Sequence, residues 1–214
     1  SCSVVESVIV TNNCPGGCDT LSNINFATDN ITFYRSGTDY VSGHNQYGDI
    51  SNAYYFNYTG TSSTLKGVYL GFGFSFASNN TNTFDIHIWD GTGGTPGAIL
   101  GSNSMTYREV ADSISAGRFV HYIPMGNISL PASNEFFVGI QFTYGNDTIA
   151  LLTNVNGQTS PATAWEQWSD LTWHAYDGTG CWGLGVAHYV VPVISTVPTA
   201  DFSPSTNTVC SGGS

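Results

Sequence analysis

The densest run of residues able to hold a ligand is AWEQWSDLTWHAY, which sets Trp165, Trp168, Trp173 and Tyr176 beside Glu166 and Asp170. Flat aromatic faces stack on the apolar faces of sugar rings, and neighbouring carboxylates hydrogen-bond hydroxyl groups. The residue types therefore point to glycan binding, with four stacking surfaces and two hydrogen-bond partners. The competing reading is packing, because tryptophans also fill cores and the space between sheets. In an extended strand Trp165 and Trp168 lie on opposite faces, so one can be buried while the other is open. The turn formers of SDLT predict a hairpin here.

Two polar loops offer other chemistry. DGTGGTPGAIL follows an alternating strand, and Asp90 with nearby carbonyls offers hard oxygen ligands for calcium. The loop lacks the Asp or Asn at every second position that an EF-hand-like site uses. It also lacks the lysine and following helix of a phosphate-binding loop. A strand end with two successive turns accounts for its glycines and its Pro96-Gly97 pair. Asp90 thus stays as a weak structural calcium candidate, and no other cofactor is expected. In SGHNQYGDISNA, His44, Asn45 and Asp49 suit an ion or a sugar hydroxyl, or bond to the loop's own backbone.

Catalytic patterns are thin. No Gly-x-Ser-x-Gly elbow occurs, and the histidines show no two-His spacing with a carboxylate. Glu109, Glu135, Glu166, Asp170 and Asp177 are available for glycoside hydrolysis, and nothing in the sequence singles out a pair. The expectation is a protein that is not an enzyme.

The elements that must position these residues are strands. The 214-residue chain is 41% hydrophobic and only 9% charged, with a net charge of −11. Polarity comes from Asn, Thr, Ser and Gly, a composition suited to short strands and ordered loops. Four basic residues against fifteen acidic ones disfavour nucleic acid and anionic membrane surfaces as partners. No apolar run approaches the roughly 20 residues of a membrane span. Period-two runs recur throughout: NITFYR, AYYFNY, TLKGVYLGFGFSF, TFDIHIW, GRFVHYIPM, EFFVGIQFTY, TIALLTN and WGLGVAHYVVPVI. Phe84, Ile86 and Ile88 share one face; so do Phe136, Val138, Ile140 and Phe142. No segment carries a full helical stripe, and ADSISAG is too short to matter. The pattern predicts an all-β, antiparallel β-sandwich of jelly-roll type, with a closed barrel as the alternative.

Five cysteines complete the picture. Cys2, Cys14, Cys18 and Cys181 are expected in disulfides, in any of three pairings. A domain boundary is predicted near Ser195, giving a sandwich domain over 1–195 with a cysteine-tethered N-terminal segment. Over 196–214 a linker leads to PTADFSPSTNTVCSGG, which resembles the opening strand of PKD-type immunoglobulin-like modules. That resemblance leaves Cys210 to pair within the next module.

CDTLSNI, YVSGHNQYGDISNAYYF, LKGVYLGFG, IWDGTGGTPGAIL, FFVGIQFTYGNDTIALLTN and AWEQWSDLTWHAY occur in an order that resembles the N-terminal β-sandwich regions of large secreted Bacteroidota proteins. Those proteins carry PKD modules and leave the cell by type IX secretion. The resemblance implies a secreted or cell-surface module among other modules of one chain. The function expected is adhesion or glycan binding, with a glycan or cell-surface partner. The alternatives are a structural subunit or spacer of a surface filament, which would self-associate, and an accessory domain of a secreted hydrolase.

Overall fold

A computed structural model describes residues 18–58, 63–161 and 163–196. Cys2, Cys14, Cys210 and the PKD-like segment lie outside them. In chain order the first strands are β1 (Cys18–Thr20), β2 (Ile31–Thr32), β3 (Arg35–Ser36), β4 (Asp39–Tyr40), β5 (Ser51–Asn57), β6 (Ser63–Phe76), β7 (Thr83–Asp90) and β8 (Ile99–Thr106). A helix α1 (Tyr107–Ser115) follows, then β9 (Val120–Ser129), β10 (Glu135–Gln141), β11 (Thr148–Leu151), β12 (Thr153–Asn154), β13 (Ala164–Gln167), β14 (Trp173–Ala175) and β15 (Val190–Thr196).

The expected antiparallel β-sandwich is what forms. One sheet has the order β14-β13-β5-β10-β7-β8, and the other the order β1-β15-β6-β11 with β9 also on β6. Successive long strands change sheets, from β5 to β6 to β7 and from β8 to β9 to β10, so the chain crosses the core repeatedly as in a jelly roll. The predicted inward residues meet there. Phe84, Ile86, Ile88, Phe136, Val138, Ile140 and Phe142 of one sheet face Val68, Leu70, Phe72, Ile123, Ile149, Leu151 and Val190 of the other, all buried. Each such side chain contributes roughly 1.5–3 kcal/mol by leaving water. Alternation alone would put Leu65 and Val68 on opposite faces. A register shift between Leu65 and Gly67 resets the parity, and both are fully buried.

Three expectations need correction. ADSISAG belongs to a real helix, because TYRE forms a capping box. Thr106 Oγ1 accepts from Glu109 N at 3.1 Å, and Glu109 Oε2 accepts from Thr106 N at 2.9 Å. The helix buries Tyr107 and Val110. WGLGVAHYVVPVI is a strand only from Val190 onward, and NITFYR is broken into two short pieces. Asp85, His87 and Trp89 do point away from the core, yet His87 and Trp89 are buried on that outer side. His87 bridges strands there, Nδ1 to Ser102 Oγ at 2.6 Å and Nε2 to Gln141 Oε1 at 2.9 Å.

A candidate ligand cleft

The predicted hairpin positions the site. β13 pairs antiparallel with β14, with Trp165 opposite Ala175 and Gln167 opposite Trp173. Trp168 N donates to Thr172 O at 2.9 Å and Leu171 N to Trp168 O at 2.9 Å, closing the loop at SDLT. Asp170 Oδ1 accepts from Thr172 N at 3.0 Å and from Thr172 Oγ1 at 2.6 Å, so this carboxylate shapes the turn.

Alternation along β13 then splits the aromatic residues. Trp165 points to the outer face of its sheet, as does Trp173 across the hairpin. There Trp165 meets Phe137 edge-on at 5.8 Å, and Trp173 meets Trp89 edge-on at 5.4 Å. With Ala53 and Tyr55 these rings make a second small apolar cluster outside the main core. Trp168 lies past the end of the strand and stacks on His174, with centroids 3.6 Å apart and planes 18° from parallel.

Between the hairpin and two other loops lies a cavity of about 420 Å³, lined by Tyr47, Asp49, Glu166, Trp168, Ser169, Asp170, Gly180, Cys181 and Trp182. Glu166 is its anchor. Its carboxylate accepts from Trp168 Nε1 at 2.7 Å, from Cys181 Sγ at 3.2 Å and from Trp182 Nε1. Both indoles are thereby anchored by their N–H groups, and both rings line the cleft although His174 covers one face of Trp168. Tyr47 packs edge-on against Trp182 at 5.6 Å and is itself exposed.

The floor is acidic and buried. Asp49 and Glu166 are each 2% exposed and line the same cavity. Asn45 Nδ2 donates to Asp49 Oδ2 at 2.6 Å. No lysine or arginine lines the cavity. Desolvation pushes the Glu166 carboxyl up to about 7, opposed by the Trp168 N–H bond and reinforced by the Asp49 charge. Burial raises Asp49 in the same way, against its bond from Asn45. Burial also pushes the Cys181 thiol well above its ordinary value.

The remaining candidates take other places. Tyr176, expected to stack a ligand, is fully buried; its hydroxyl donates to Val41 O at 2.9 Å and accepts from Asn52 Nδ2 at 3.0 Å. Parity explains this, since Tyr176 lies on the inward side of the strand that puts Trp173 outward. Trp165 and Trp173 sit in the outer cluster and do not line the cleft, and Glu166 spends its oxygens on protein donors. Cys181, expected in a disulfide, is a free thiol, whereas Cys18 is disulfide-bonded. Asp90 Oδ1 accepts from Thr92 N at 2.8 Å within its turn, and its strand returns as β8. Among the described residues no three His, Cys, Asp or Glu side chains converge as a metal site. His44 is a core residue, with Nδ1 accepting from Ile149 N and Nε2 donating to Thr143 O, each at 3.1 Å. Asp49, Tyr47 and Trp182 were not expected in one site with the hairpin. Each stood in a polar or aromatic stretch, and only the fold joins those stretches.

No known family description matches the sequence, and neither does any curated protein. Solved structures do share the fold. One holds the cysteine protease and lectin-like domains of Cwp84, a surface layer associated protein of Clostridium difficile. It aligns with a TM-score of 0.50 at 10% identity, over 70% of this chain and 32% of that one. The clostridial Cwp84 protease after propeptide cleavage aligns with a TM-score of 0.51 at 12% identity, over 78% and 40% respectively. The chain thus spans well under half the length of either neighbour, and at these identities the likeness is one of fold.

Proposed function

We propose that the chain is a non-catalytic, extracellular glycan-binding module of a larger secreted or cell-surface protein. The observation that carries the reading is the cleft walled by Trp168 and Trp182, whose ring planes are held by Glu166. Fixed aromatic walls with a polar rim suit a sugar, which offers apolar ring faces and hydroxyl edges together. Glu166 acts by positioning the indoles, while Asp170 and Ser169 at the exposed rim are the groups a hydroxyl reaches first. The presence of a lectin-like domain in surface-associated Cwp84 supports a surface module. So does the resemblance to exported Bacteroidota proteins. The test is a glycan array on the whole chain. Retention on neutral glycans by the wild type, lost in Trp182→Ala, is expected; no retention on any glycan would refute the reading.

The acidic floor also raises a hydrolytic reading. Glycosidases separate their two carboxyl groups by about 5 to 9.5 Å to leave room for the anomeric carbon or a water. Asp49 and Glu166 are each 2% exposed on the cleft floor, and Asp49 is held by Asn45. Glu166 is further saturated by two indole N–H groups and a thiol. These features favour an architectural pair over a reacting one, and reducing-sugar release from a bound polysaccharide would overturn that preference.

A further inference from the structure

The cleft joins aromatic rings to carboxyl groups without a balancing cation. Tyr47, Trp168 and Trp182 supply the rings, and Asp49, Glu166 and Asp170 the acids. The planes of Tyr47 and Trp182 stand 68° apart with centroids at 5.6 Å, so two aromatic walls meet at a corner. The basic side chains of the chain are all elsewhere. Lys66 bonds Asn127, Arg35 lies over the Tyr40 ring, Arg108 pairs with Asp112, and Arg118 does not line the cavity. His174 is taken up by Trp168, on which it stacks, and by Thr172 Oγ1, 2.7 Å from its Nε2. The two buried acids differ in how they are met. Glu166 has its oxygens on the two indoles and the thiol. Asp49 is 2% exposed and accepts from Asn45 Nδ2 at Oδ2, and among the described residues no donor bonds its Oδ1. A buried carboxylate with an unmatched oxygen is costly until a proton or a cation meets it.

We propose that the cleft prefers an amino sugar with a free, protonated amine over neutral and anionic sugars. The inference rests on the glycan reading for the ring that carries the amine. An ammonium group brings one positive charge and three N–H donors. Asp49 Oδ1 is the acceptor for one of them, and Asp170 at the rim draws the charge inward. The aromatic faces attract the same charge through their negative π clouds. The apolar face of the sugar then lies on the side of Trp168 that His174 leaves uncovered. Acylation turns the ammonium into a neutral amide, which removes the charge and two of the donors. A uronate instead brings a like charge to an acidic floor. The amine also favours the ionised carboxyls of Asp49 and Glu166, which burial disfavours in the free protein.

Calorimetry on the full chain tests this with glucosamine tetramer, its fully N-acetylated form and galacturonic acid tetramer as probes. At pH 6 the amine is protonated, and added salt at about 0.15 M screens the long-range pull of the acidic surface. The free-amine tetramer should bind about tenfold tighter than the N-acetylated one or better, and the uronate more weakly than both. Asp49→Asn should bring the first two within about threefold of each other. Asp112→Asn, which removes an exposed charge on α1, should leave the preference intact. Equal or tighter binding of the N-acetylated tetramer by the wild type would overturn the proposal even if Asp49→Asn failed to fold. So would a preference that survives in Asp49→Asn, or one that falls as far in Asp112→Asn. Cyclohexylammonium, an amine on a ring without hydroxyls, separates the two readings. Its binding to a protein that binds no tetramer would keep the cation site and refute the glycan reading. Neutral tetramer bound without an amine preference would keep the glycan reading and refute the cation site.

Discussion

On the outer face of the six-stranded sheet, Trp165 and Trp173 meet Phe137 and Trp89 edge to face and occupy one another's apolar surface. A few residues along the same hairpin, Trp168 and its neighbour Trp182 turn their N–H groups onto a buried carboxylate. The residue type is the same and the use is opposite. Ring-on-ring packing consumes the faces and yields stability. Anchoring by the N–H edge consumes the edge; His174 covers one face of Trp168, and its other face is left for a ligand. An aromatic count could not separate the two regions; the partner of each indole does.

That contrast can be broken at either end. The largest effect belongs to the closed cluster, where Phe137 is fully buried beneath Tyr55 and Trp165. Phe137→Ala should cost about 3–5 kcal/mol in chemical denaturation, and a loss under about 1 kcal/mol would mean that the cluster is loose enough to bind.

Next comes the acidic floor. The Glu166 carboxyl is raised from 4.5 to about 7, so it favours the folded state below its unfolded value, and that contribution is lost as pH climbs through about 7. Unfolding measured between pH 4.5 and 8 should show this component as a decline of roughly 3 kcal/mol at most. Glu166→Gln should flatten it; an unchanged slope would detach the floor from the titration.

Smaller still is the stability cost of Trp168→Ala. This ring is half-buried and stacked on one side by His174. A loss of about 1 kcal/mol is expected from its bond and stacking, well below that of Phe137→Ala.

Much of the fold could be read from period-two alternation, because inward residues such as Phe84, Ile86 and Ile88 declare a face locally. The hairpin at SDLT and the return of the strand after Asp90 were likewise legible from turn chemistry. Helix α1 escaped because its stripe holds only Tyr107 and Val110 as buried residues. Its capping box at Thr106 and Glu109 was the available signal. The candidate site was half legible. Trp168, Glu166 and Asp170 lie in one stretch, and parity separates Trp165 from Trp168. Parity continued through Trp173 also places Tyr176 inward, a step composition alone does not take. Asp49 reaches Glu166 only because β13 pairs with β5, setting Glu166 opposite Asn52. Such register follows from packing across the whole sheet and has no local mark.

The central claim is that edge-anchored indoles bind while face-packed indoles do not. Affinity electrophoresis in neutral polysaccharide, run at pH 6 on the full chain, compares Trp168→Ala with Trp165→Ala directly. The account predicts at least a tenfold loss of retention, about 1.4 kcal/mol, for Trp168→Ala, and retention within about twofold of wild type for Trp165→Ala. Retention lost in Trp165→Ala and kept in Trp168→Ala would contradict it and move the ligand to the outer face of the sheet.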